Sequence, residues 1–176
     1  MAQRFWMGGL VLVALAAVAH GDDKPEGKSA THPAFERMKK MAGTWVMADK
    51  EGKPTEQVVS VVKVTAAGSA VHETLFPGQP HEMVSVYTRN GADLVMTHYC
   101  SLGNQPRMKA DPKSPADQII FEFDGGSNLD PAKDKHMHGA TVTFVDDDHV
   151  SIAGVCWEGG KPCVTCCGKM NLVRKK

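Results

Sequence analysis

Residues 82–100 read EMVSVYTRNGADLVMTHYC: two runs of alternating apolar and polar residues meeting at Asn90-Gly91. A period of two places successive side chains on opposite faces of a strand. An Asn-Gly step between two such runs is the strongest short-range hairpin signal, because tight hairpin turns favour positive φ. In the second run Leu94, Met96, His98 and Cys100 share one face, and Asp93, Val95, Thr97 and Tyr99 share the other. The first face is the more apolar, so it is expected to point toward a core.

The same texture extends in both directions. TWVMAD (44–49), EQVVSVVKV (56–64), AVHETLF (70–76), QIIFEF (118–123), GATVTFV (139–145), HVSIAGVCW (149–157) and CVTCCGKMNLV (163–173) are rich in β-branched residues and bounded by turn residues. Turns are expected at Gly52-Lys53-Pro54, Ala67-Gly68, Pro77-Gly78, Asp146–Asp148 and Gly159-Gly160. Parallel strands need crossovers of a dozen or more residues, and these connections are mostly shorter, so the sheet should be antiparallel. A long meander removes its exposed edges by closing on itself. The expected fold is all-β, an antiparallel up-and-down barrel of about eight to ten strands, with a two-sheet sandwich as the alternative. One short helix precedes it: THPAFERMKKMAG (31–43) offers Thr31 as N-cap, Pro33 in the first turn, and an apolar face of Phe35, Met38 and Met41.

Before the helix, Met1–Ala19 combines Arg4, an apolar run and the small-residue end Ala17-Val18-Ala19, the layout of a signal peptide cleaved after Ala19. Residues 20–31 are polar and Pro/Gly-containing and read as a disordered leader. The barrel domain is therefore expected over 32–176, in a secreted or periplasmic protein. Lys+Arg and Asp+Glu both number 20 in the 176 residues, with no basic stripe. That balance argues against nucleic acid as a partner, which requires clustered positive charge. No integral membrane segment is expected after signal cleavage.

Export permits disulfides. Of the five cysteines, Cys156, Cys163, Cys166 and Cys167 crowd one end of the chain and Cys100 stands apart. A Gly159-Gly160 loop sets Cys156 opposite Cys163 across a hairpin, within bridging distance, so these two are expected to pair.

Gly43-Thr44-Trp45 at the first strand, the preceding helix and the chain end NLVRKK (171–176) resemble the calycin superfamily of lipocalin-like barrels. The run from Ala42 to Lys176 is also similar to a family of uncharacterised bacterial secreted proteins of that fold. The resemblance implies structural roles for Gly43, Trp45 and Arg174, with Arg174 packed over Trp45 at the closed end of the barrel.

For function, the expected barrel interior points to a small, mostly apolar ligand met by a few polar groups. The candidates are His98, Tyr99, Cys100, Arg107, His136 and His138. Carrying the inward face Ala140, Val142, Phe144 backward through His138 and His136 brings three histidines and one thiol toward one interior. His98, Cys100, His136 and His138 are thus also the candidate set for a metal, a haem or thiol chemistry, with the cofactor left open. His72 and Glu73 fall on opposite faces and are not expected to act as an acid–base pair. No Gly-x-Ser-x-Gly, phosphate loop or dinucleotide fingerprint is present, so binding rather than catalysis is the expected role.

Overall fold

The computed structural model describes residues 32–163 and 167–176. The signal segment, the leader, Thr31 and Cys166 lie outside the described residues. A helix α1 (Pro33–Lys40) is followed by strands β1 (Gly43–Ala48), β2 (Pro54–Thr65), β3 (Ala70–Leu75), β4 (Met83–Asn90), β5 (Asp93–Tyr99) and β6 (Gln105–Ala110). Then come β7 (Gln118–Ser127), β8 (His136–Phe144), β9 (His149–Glu158), β10 (Lys161–Cys163) and β11 (Lys169–Arg174). The sheet runs β9-β11-β1-β2-β3-β4-β5-β6-β7-β8, and β8 pairs back onto β9. That pairing closes ten antiparallel strands into a barrel and rules out the sandwich.

The segment read as one last strand is two. β10 pairs with Trp157 and its neighbours, β11 with Ala153 back to His149, so both follow one edge of β9. The opening hairpin also differs in its turn. Asn90 pairs with Asp93, which leaves Gly91-Ala92 as the two-residue loop. Gly91 alone carries positive φ (61°), the pattern of a type II′ turn with glycine first, so Asn90 extends the strand.

α1 closes one end. His32 caps it by accepting from the Phe35 amide through Nδ1 (3.2 Å), and Pro33 starts the first turn, where a missing N–H costs nothing. Phe35, Met38 and Met41 are buried in one cluster with Trp45, Tyr87 and Leu94, so the helix is an apolar plug in the barrel mouth. Trp45 is fully buried and donates its indole N–H to Met41 O at 2.8 Å. The Arg174 guanidinium lies 4.3 Å from the Trp45 ring centroid and donates to Ala42 O (2.7 Å) and Lys40 O (3.0 Å). These carbonyls end the helix, so one side chain covers the indole and caps α1. Gly43 permits the approach: a Cβ there would sit 2.9 Å from the Arg174 guanidinium, and its φ of 139° suits only glycine.

Candidate functional site

Strand register gathers a polar group where alternation alone suggests only core. On β3, Val71, Glu73 and Leu75 are all buried, so a carboxyl sits on the inward face between two aliphatic residues. Glu73 pairs with Ser85 on β4, and Ser85 pairs with His98 on β5, setting the three in one row across the sheet. Glu73 Oε1 accepts from Ser60 Oγ and Oε2 accepts from Tyr87 OH, each at 2.6 Å. Ser85 Oγ lies 3.0 Å from His98 Nδ1. Ser60, Glu73, Ser85, Tyr87 and His98 are each at most 3% exposed.

Burial governs their ionisation. It raises Glu73 above the usual carboxylate range, against smaller lowering effects from Ser60, Tyr87 and the charge of His72. Burial and the adjacent Glu73 push the Tyr87 phenol well above its ordinary range. Burial depresses His98 to about 4, so its ring is neutral at neutral pH.

Glu73, Ser85 and Tyr87 form the polar edge of a cavity of about 210 Å³ inside the barrel. The rest of its wall is apolar: Leu75, Phe76, Val142, Ile152 and the methionines 83, 96, 137 and 170, with Gly154 and Cys167 on one side. Larger hollows lie elsewhere, one of about 670 Å³ between α1 and the 145–148 turn. Among its charges, Asp148 is held by Arg174 at 3.2 Å and by Lys176, from outside the hollow, at 2.9 Å. The smaller interior cavity is the one that combines mostly apolar walls with a buried carboxyl.

The residues expected from sequence to meet a ligand stand elsewhere. His98 is buried, in phase with Leu94 and Met96, but it faces Ser85 and does not line the cavity. Tyr99 is 49% exposed, and Cys100 is a free, half-buried thiol at the turn after β5. Arg107 is an exposed charge paired with Asp124 at 3.0 Å. His136 and His138 are removed from the expected face by a bulge. Met137 pairs with Cys156 and Gly139 with Val155, so His138 is an extra residue and the phase slips by one. Met137, not a histidine, therefore joins Ala140 and Val142 on the cavity wall. The displaced rings form their own cluster. His136 Nε2 lies 2.9 Å from His138 Nδ1, and the His138 ring is stacked between Trp157 (3.8 Å) and Phe123 (4.5 Å). Burial and the neighbouring His136 lower His138.

The candidate metal set is thus divided between Ser85 and an aromatic stack, and no three His, Cys, Asp or Glu side chains among the described residues gather as a metal would require. The cysteine pairing is also corrected. Cys163 does stand opposite Cys156, as the loop demands. The bond to Cys156 nevertheless comes from Cys167, with Cα atoms 5.7 Å apart. Room for it comes from Gly154, where a Cβ would meet Cys167 Cβ at 3.3 Å and Sγ at 3.4 Å.

Glu73 and Tyr87 were open to sequence reading through the spacing Val71-Glu73-Leu75 and Ser85-Tyr87. The signal was a charge on an otherwise aliphatic face, outweighed by the attention that histidines draw. Among known proteins, no family model matches this chain and no curated protein is similar to it in sequence.

Proposed function

We propose that this protein is an exported, lipocalin-like barrel that binds one small, mostly apolar molecule in the cavity beside Glu73. The observation that carries the reading is the cavity itself: about 210 Å³, apolar on most of its wall, with Glu73, Ser85 and Tyr87 converging on one edge. A recess of this size reaching into the barrel and lined mostly by apolar groups is suited to a small ligand. A 150 Å³ apolar cavity accommodates benzene, which puts the ligand at about eight to ten non-hydrogen atoms. Methionine side chains suit such a role because they reshape around differing apolar groups. The polar edge would orient the molecule, as few groups suffice for that in pockets of this kind.

The test is organic extraction of natively purified protein followed by mass spectrometry. A stoichiometric small molecule, lost when Ala140 is replaced by Phe to fill the cavity, is the expected result. Protein that releases nothing and takes up no apolar probe would sink the reading.

A further inference from the structure

We propose that the cavity selects a small hydrophobic amine, its ammonium seated on the Glu73 carboxylate and its apolar part among Met83, Met96 and Met170; this deepens the ligand-binding reading and rests on it. Each Glu73 oxygen accepts one hydrogen bond, from Ser60 or from Tyr87. A carboxylate oxygen has two acceptor positions, so each retains capacity for a further donor.

No Lys, Arg or His is among the described residues that line the cavity, and no ion pair of the described residues includes Glu73. The carboxyl is therefore held in place by donors, with no cationic side chain among the described residues of the cavity wall beside it. Burial disfavours the ionised carboxyl and raises its pKa, and a ligand that brings the opposite charge favours the ionised form by pairing with it.

The ligand classes separate on this ground. A carboxylate ligand would find no opposite charge among the described residues of this wall. An alcohol can give one hydrogen bond but brings no charge that would favour the ionised carboxyl. A primary ammonium carries three donors and the complementary charge.

A second feature points to the same wall. Phe76 lines the cavity with φ of 53°, in the left-handed region that bulky residues avoid. Strain of this kind gathers at ligand clamps, where the surrounding structure holds it. Its amide donates to Val59 O at 2.7 Å, and its ring lies 4.8 Å from that of His81, so the conformation is anchored on both sides.

The experiment is calorimetric titration of the ligand-stripped protein at neutral pH with hexylamine, hexanol and hexanoate, repeated on Glu73→Gln. The native protein should bind hexylamine at least about tenfold more tightly than hexanol, a difference of one decade in Kd, with hexanoate weakest. In Glu73→Gln, hexylamine should fall to the level of hexanol or below, while hexanol stays within about twofold of its native value, since the amide keeps the carboxyl's shape. Hexanol binding as tightly as hexylamine, or an amine preference that survives the substitution, overturns the amine assignment and leaves the ligand-binding reading standing. Failure of all three probes to bind the native protein removes both. The comparison of hexylamine with hexanol on the native protein decides the matter even where Glu73→Gln does not fold.

Discussion

Two polar groupings of this barrel, at Trp45 and at Glu73, are built on opposite terms. At the Trp45 end, each polar group named is answered: the indole N–H by Met41 O, and the Arg174 guanidinium by the helix-end carbonyls and Asp148. At the Glu73 row, a carboxyl is buried on the edge of the cavity and held by two hydroxyl donors, with no cationic side chain among the described residues of the cavity wall. The first arrangement stabilises; the second costs stability and leaves chemistry available.

The largest expected effect breaks the stabilising end. Trp45→Ala removes a buried aromatic ring and should cost about 3–5 kcal/mol in denaturant unfolding. It also leaves Arg174 without the ring it covers. A loss below about 1 kcal/mol would mean that α1 and Arg174, not the indole, close the barrel.

The polar row should show itself through pH. His98 is depressed to about 4 in the folded protein and takes its ordinary value near 6.5 when unfolded. The unfolded chain therefore binds more protons between these limits, so stability is present above about pH 6.5 and is lost as pH falls toward 4. The contribution is on the order of 3 kcal/mol. Glu73 acts in the reverse sense. Its raised carboxyl keeps a proton in the folded state that the unfolded chain has released, so its contribution declines as pH rises above the ordinary carboxylate range. Unfolding of His98→Gln against pH should show a flattened acid limb, whereas Glu73→Gln should remove the decline on the neutral side. A pair of unchanged profiles would place both groups in water.

The disulfide gives a somewhat smaller effect. Cys167→Ser should lower stability by about 2–3 kcal/mol, as expected for a short closed loop, and it alters the cavity wall as well. Peptide mapping without reduction should recover a Cys156–Cys167 link and an alkylatable Cys100. A Cys156–Cys163 link would restore the pairing that the hairpin alone implies.

Arg107→Ala should do least. Its ion pair with Asp124 is exposed, such pairs contribute about 0–1 kcal/mol, and ligand binding should be unchanged. Any clear loss of binding would move the site from the Glu73 cavity toward the β5–β6 turn.

Much of the architecture was legible because it depends on local pattern. Alternation and short turns specify antiparallel strands wherever one face must leave water, and closure follows from the need to hide edges. The inward face Leu94-Met96-His98 belongs to that class. So, in principle, does Glu73, whose place between Val71 and Leu75 put a charge on the buried face. The approach of Arg174 to Gly43-x-Trp45, by contrast, was expected from a family resemblance alone.

Three features were settled only by tertiary structure, for distinct physical reasons. The bulge at His138 arises from pairing with β9, and one extra residue reverses every side chain beyond it, so His136 and His138 join Phe123 and Trp157 in place of the cavity. The choice of Cys167 over Cys163 turns on the space above Gly154, a contact between residues that are not paired in the hairpin. The cavity beside Glu73 is a volume left over when strands from both halves of the chain meet, from Leu75 on β3 to Met170 on β11. Strand character is written residue by residue, whereas a void belongs to no residue and exists only once the barrel has closed.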